Sequence, residues 1–281
     1  MNENLFARIE KLFDIGMMAD AEILVAGCGS GGGSVALQLA MSGLQNFTLL
    51  DNDILEPENV IRHICGLRYV GQKKVDAVAE VLRDRNPKIK TRLLYEDLLI
   101  YEQIESEIAR ATAVVLATDN EPTRYMVNEL CVKTGTPFVV GKVFTRGIGG
   151  EVFAFRPETG GCLACLESRL ERTSLREGIR EIDLVSDEER DAMYGMEVAE
   201  IKDSPGLNVD ISFITAFHTR FVLDAIASRL PERPKYLSPI AENYVIWGNR
   251  PVHPFSKNFE LSRITLTKQE GCLVCGGSHG T

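Results

Sequence analysis

The chain has 281 residues, with 31 Lys+Arg against 40 Asp+Glu for a formal net charge of −9, 44% hydrophobic residues and seven cysteines. That length and balance suit a globular protein of one large domain or two modest ones. A pI near 5.1 offers no basic footprint for general nucleic-acid binding, and no apolar run approaches the roughly 18 residues of a membrane span. Residues 1–16 lack a basic start followed by an apolar core, which predicts no secretory signal and a cytoplasmic location.

Short β-branched runs predict strands over 23–26, 47–50, 91–95, 113–117, 137–140 and 151–155, with helical patterns between them over 34–42, 74–86, 102–110 and 121–134. This alternation predicts an α/β fold, a Rossmann-like open, mostly parallel sheet flanked by helices. The charged segment 167–206, ending in Ser204-Pro205-Gly206, reads as a long crossover with one or two short helices. Apolar residues at helical spacing (Ile211, Ile214, Phe217, Phe221, Ile226) predict a long helix over 210–230, and Pro231, Pro234 and Pro239 mark the turn after it. Residues 244–247 and 259–267 form a C-terminal β extension.

Gly27, Gly29 and Gly32 fit G-x-G-x-x-G directly after the first strand and before a helix. Glycine permits the tight turn and lets backbone N–H groups approach a phosphate, and the helix N-terminus adds partial positive charge. Asp51 closes the next strand nineteen residues after Gly32, where a carboxylate meets ribose hydroxyls. The plainer alternative is a glycine-rich turn with no ligand. Asp53, Asn59, Arg62 and Lys74 follow in quick succession, and an arginine fork with a lysine point charge beside such a loop suits a triphosphate. Asp119, in Thr118-Asp119-Asn120, ends a buried strand, where a carboxylate can hold Mg²⁺ against phosphates. Against this stand Arg62 and Lys74 as surface charges, and Asp119 as a cap for the helix starting at 121. On this reading residues 1–166 form a nucleotide-binding half, 167–206 a crossover, and 207–281 complete the same domain.

Four of the seven cysteines form two knuckles, Cys162-x-x-Cys165 and Cys272-x-x-Cys275. Four thiolates, two from each tight turn, suit tetrahedral Zn²⁺; a redox-active C-x-x-C is the alternative. His279 is near enough in sequence to substitute as a ligand. A site closed by four cysteines leaves no open position, so its zinc is expected to be structural.

Five patterns occur together: the glycine loop, Leu49-Leu50-Asp51-Asn52-Asp53, Asn59 to Arg62, Gly71 to Lys74, and Thr118-Asp119-Asn120. In this combination the chain resembles the MoeB/ThiF-like adenylyltransferases of the ubiquitin-activating enzyme superfamily. The resemblance runs over nearly the whole chain and is weak only across 167–204. It implies ATP-dependent adenylation of a C-terminal carboxylate, usually the Gly-Gly tail of a small ubiquitin-like or sulfur-carrier protein, with release of pyrophosphate. Carried onto this sequence, it implies Asp51 for the ribose, Asn59 and Arg62 for the phosphates, Lys74 for the α-phosphate region and Asp119 for Mg²⁺, with Arg62, Lys74 and Asp119 as the catalytic set. It also implies a homodimer in which an N-terminal arginine reaches the partner's site. Arg8 is the candidate, in a poorly matching context. The family's usual Gln after the arginine is His63 here, and Arg124, one helical turn past Asp119, reads as a surface arginine, with a place facing the same cleft as the alternative.

Cys28, Cys65 and Cys131 read as buried and inert, and no cysteine lies between Cys165 and Cys272. The expected chemistry therefore stops at the acyl-adenylate or passes it to an external sulfur donor or amine, without an internal thioester. Three other functions are open: adenylation of a short ribosomal peptide, a non-catalytic subunit that binds a ubiquitin-like protein, and an NAD-dependent oxidoreductase. The full set of charges speaks against the second, and the lack of a compact acid/base pair against the third.

Overall fold

The most apolar strands lie at the centre of the sheet. β1 (Glu22–Ala26) and β4 (Ala113–Leu116) are buried on both faces apart from Glu22, as expected of central parallel strands. Around them a computed structural model, which describes residues 5–144, 147–158, 160–170 and 207–276, forms one eight-stranded sheet in the order β3-β2-β1-β4-β5-β6-β7-β8. The other strands are β2 (Asn46–Leu50), β3 (Lys90–Leu94), β5 (Phe138–Val143), β6 (Gly149–Phe155), β7 (Tyr244–Gly248) and β8 (Glu260–Ile264). Strands β3 to β5 pair in parallel, and β5 through β8 pair antiparallel, which is the predicted open sheet with its C-terminal extension.

Helices cover both faces. On one face α1 (Ser30–Met41), α2 (Lys74–Arg85) and the long α6 (Asn208–Ala227) enclose a core that includes Val35, Leu39, Val78, Leu82, Phe221 and Trp247. On the other, α3 (Ile104–Arg110), α4 (Glu121–Thr134) and α5 (Leu163–Leu170) enclose Ile108, Val127, Phe138, Phe153 and Leu166. Asp224 near the end of α6 is buried and accepts hydrogen bonds from Arg156 (2.7 Å), Arg233 (2.9 Å) and the Ile240 N–H (3.1 Å), tying that helix to β6 and to the turn beyond it.

Three differences from the sequence reading go beyond a shift of an element's end by a few residues or bear on the site. α1 begins at Ser30 rather than at 34, absorbing three glycines, because close packing of the helix under the loop outweighs glycine's poor helix propensity. α5 was not anticipated; the first cysteine knuckle opens a helix instead of ending in a turn. β8 stops at Ile264, and the chain then runs through turns to the second knuckle. Most of the expected crossover, residues 171–206, and His279 lie outside the described residues. Among the described residues no helix is long and apolar enough to cross a membrane.

Candidate functional site

β1 has β2 on one side and β4 on the other, so successive connections leave it in opposite directions. The crevice at the carboxyl ends of such strands is where open α/β sheets bind ligands. Here it is a cleft of about 800 Å³. Its floor is the glycine loop. Gly27 has φ +93°, and a Cβ there would lie 2.8 Å from the Ala117 carbonyl oxygen; a Cβ on Gly32 would lie 1.8 Å from the Gly27 carbonyl oxygen. Both positions therefore require glycine for the loop to sit between β4 and α1. At Gly29 and Gly31, in contrast, an added Cβ meets nothing within 4 Å among the described residues beyond its own stretch of backbone. Bare backbone there faces the open cleft at a helix N-terminus, an arrangement that accommodates phosphate.

Of the residues expected at the site, Gly27, Gly29, Asp51, Asp53, Asn59, Arg62, Lys74 and Asp119 all line this one cleft. Gly32 does not; it is buried and packs α1 against the loop. Asp51 Oδ2 accepts the Cys28 N–H at 2.6 Å and its Oδ1 accepts the Asp53 N–H at 2.8 Å. Burial pushes the Asp51 carboxyl up, against the pull of those two amides. Asn59 caps the short 3₁₀ turn Pro57–Asn59, its Oδ1 accepting the Glu56 N–H at 3.1 Å. Lys74 is no loose surface charge: its Nζ lies 2.6 Å from Asp53 Oδ2 with the side chain only 13% exposed. Arg62 is half-buried in the wall, and Asp119 is exposed at the rim. Asn120, not Asp119, caps α4, accepting the Thr123 N–H, so the Asp119 carboxylate is not committed to that helix. Arg8 is exposed and does not line the cleft of its own chain.

Arg124 departs from its reading as a surface charge, and His63 gains a role that the sequence left open. Arg124 is part of the cleft wall, with Nε and Nη2 both donating to the Thr118 carbonyl at 3.1 and 2.8 Å. His63 is buried beneath the glycine loop. Its Nε2–H donates to the Cys28 carbonyl at 2.8 Å while Nδ1 accepts the Cys65 N–H at 3.1 Å, which requires the neutral ring. Burial lowers its pKa accordingly. Sequence reasoning missed the opposite wall altogether: Lys142 at the end of β5, residues 96–99 after β3, and Thr215 and His218 on α6. Lys142 and residues 96–99 follow predicted strands, and the rule that ligands gather at strand carboxyl ends could have found them. His218 carried no such signal.

The second candidate centre lies on the α5 side of the sheet. The sulfurs of Cys162, Cys165, Cys272 and Cys275 all fall within 4.8 Å of one another, with separations of 4.0 Å (162–165), 3.7 Å (162–272) and 3.4 Å (165–275). A tetrahedral zinc with bonds of about 2.3 Å needs sulfur separations of about 3.8 Å, so the set fits. Burial raises the Cys165 thiol to about 11. At Cys272 burial is outweighed by hydrogen bonds from the Cys275 and Val274 amides, and the thiol falls to about 6. The other three cysteines are buried; burial raises Cys28 and Cys131 and lifts Cys65 to about 12, as expected of inert thiols.

Known proteins share both sequence and fold with this chain. It is 34% identical over 151 residues to "Adenylyltransferase and sulfurtransferase MOCS3-1" of Zea mays, covering 53% of this chain and 31% of that protein. It is 32% identical over 147 residues to the MOCS3 protein of Arabidopsis thaliana, covering 52% and 31%. The match thus spans about a third of the length of these curated relatives. Among solved structures, E. coli MccB with AMPCPP and MccA aligns with a TM-score of 0.71 over 99% of this chain and 75% of that one, at 18% identity. PaaA aligns with a TM-score of 0.63 over 90% and 75%, at 14% identity. These likenesses establish a common fold. A sequence profile described as the ThiF family matches residues 12–233, most of the chain including the whole glycine-loop cleft, and the protein belongs to that family.

Proposed function

We propose that the cleft binds ATP with Mg²⁺ and that the protein adenylates the C-terminal carboxylate of a small ubiquitin-like or sulfur-carrier protein ending in glycine. The observation that carries this reading is the gathering of Asp51, Arg62, Lys74 and Asp119 around one glycine loop. The family membership and the MOCS3 relatives support it. Structures of E. coli MccB with ATP, and with AMPCPP and MccA together, support a fold of this kind that takes a nucleotide alongside a second molecule. The same neighbours favour one alternative within this class, a short peptide as the carboxylate's owner.

In this mechanism Asp51 would orient the ribose, Asn59, Arg62 and Lys74 would hold the phosphates, with Lys74 assigned to the α-phosphate, and Asp119 would hold Mg²⁺. Bound Mg²⁺ would offset phosphate charge. The substrate carboxylate is already anionic at neutral pH, so no general base is needed. One of its oxygens bonds to the α-phosphorus as the bond to the bridging oxygen breaks, and pyrophosphate leaves with the electron pair. Catalysis then rests on positioning and on cations arranged where charge accumulates. With the remaining cysteines buried, the chemistry stops at the acyl-adenylate or passes it to an external sulfur donor or amine. The four-cysteine centre holds Zn²⁺ and takes no part in the chemistry. We further assign residues 1–166 to nucleotide binding, a homodimer as the working unit with Arg8 reaching the partner's cleft, and a cytoplasmic setting.

The test is exchange of labelled pyrophosphate into ATP in the presence of candidate carboxylate partners. Exchange is expected with the wild type and lost in Asp119→Ala and Arg62→Ala; exchange that survives both substitutions sinks the site assignment. Calorimetry showing no ATP binding would instead favour a non-catalytic binding subunit.

A further inference from the structure

We propose that Asn128 is a positioning residue that couples occupancy of the four-cysteine centre to the placement of Asp119 in the cleft; its functional consequence rests on the nucleotide reading above. The first turns of α4 hold the Thr118–Asn120 loop. Arg124 clamps the Thr118 carbonyl with two hydrogen bonds, and Thr123 Oγ1 donates to the Asn120 carbonyl at 2.6 Å. Arg124 and Asn128, four positions apart, share one face of that helix. Asn128 is fully buried, and its Oδ1 accepts the N–H of Leu163 at 2.8 Å.

Leu163 is the first residue of α5 and stands between Cys162 and Cys165. Its amide is one of the orphan donors at a helix start, with no carbonyl of its own helix to bond. The rest of the knuckle is held from the C-terminal side. The Gly161 N–H donates to the Leu266 carbonyl at 3.1 Å, and Gln269 Nε2 donates to the Cys165 carbonyl at 3.1 Å. Asn128 supplies the tie toward the cleft. Among the described residues its Nδ2 is buried with no partner, so a residue present for packing alone would be better apolar. The bond to Leu163 is what offsets that unpartnered amide. Groups just outside a metal's ligands orient those ligands, and through the rigid α4 the same bond fixes the loop carrying Asp119. Coupling of this kind is reciprocal, so binding at either end firms the other.

The test is hydrogen exchange of the segment 117–124 in the full chain, zinc-loaded and after chelation. Chelation of the wild type is expected to speed exchange there about tenfold, within the range of an ordinary coupling between two sites. In Asn128→Ala the segment exchanges fast with zinc bound and no longer responds to chelation, and zinc release speeds up about tenfold. Val127→Ala, which removes buried volume but no hydrogen bond, is expected to keep the response. The proposal is overturned by an unchanged wild-type segment, by acceleration spread equally through β1 to β3, by a response that survives in Asn128→Ala, or by its loss in Val127→Ala. Should Asn128→Ala fail to fold, Asn128→Leu, which fills a similar volume without the acceptor for the Leu163 N–H, takes its place with the same expected loss of response. Exchange needs no nucleotide, so this failure is distinct from a failure of ATP to bind, which calorimetry reads separately.

Discussion

Lys74 Nζ lies 2.6 Å from Asp53 Oδ2, yet the two side chains differ sharply in exposure, 13% for the lysine and 60% for the aspartate. The lysine is thus fixed in the cleft wall while its partner faces solvent. An ion pair with one exposed member is weak, so an incoming phosphate can replace the carboxylate without moving the ammonium. Lys74→Ala is expected to cut pyrophosphate exchange about 100-fold, the scale of one lost donor at developing charge. Asp53→Ala is expected to change the KM for ATP by only about threefold, in keeping with so weak a pair. Steady-state exchange kinetics on the two variants check both.

His63 bridges the glycine loop and the segment carrying Arg62. Truncation to alanine strands the Cys28 carbonyl and the Cys65 N–H in a buried place, at about 1–3 kcal/mol for each group. His63→Ala should therefore lower the melting temperature and weaken ATP binding together. His63→Gln, which offers one donor and one acceptor, should restore most of both. Thermal melts and calorimetry separate the two effects.

Burial holds His63 and His218 neutral, and His218 is brought down from 6.5 to about 4 while donating Nε2–H to the Val139 carbonyl. The unfolded chain binds protons at these sites first as the pH falls. Their contribution to stability is therefore complete above about pH 6.5 and is lost as the pH drops toward the folded-state value. For His218 that amounts to roughly 3 kcal/mol, at about 1.4 kcal/mol per unit. Urea unfolding between about pH 7 and pH 4 should show stability falling with acid, and His218→Leu should flatten much of the slope.

Asp224 sits between two arginines at the end of α6, and only 4% of its side chain is exposed. Removing one member of a buried ionic cluster leaves uncompensated charge, at about 3–5 kcal/mol. Asp224→Ala is expected to cost that much in chemical denaturation. Asp224→Asn, which can still accept the Ile240 N–H, should cost less.

Much of the architecture was readable because its signals are local. The apolar runs of β1 and β4, the glycines at 27 and 32, and the spacing from Asp51 to Lys74 each state a backbone requirement within a few residues. The cleft's second wall was not readable. His218 and Thr215 sit on an apolar helix, and only the packing of α6 over the sheet brings them beside the glycine loop. Arg124 misled for a related reason: an arginine on a helix reads as solvated until its fold-back onto the Thr118 carbonyl is seen. Asn128 is hidden in the same way, its partner Leu163 lying 35 positions further along.

The sulfur contacts between Cys162 and Cys272, and between Cys165 and Cys275, each join positions 110 apart. A metal on those four sulfurs makes the chain from 162 to 275 a ring. Opening one peptide bond within 171–206 would leave that ring as a clasped two-piece molecule, because the knuckles and the pairing of β6 with β7 stay on opposite sides of the nick. Such a nicked protein should travel as one body in its native state and separate into two only when denatured and stripped of metal. A protease could therefore remodel that segment without parting the protein's two halves.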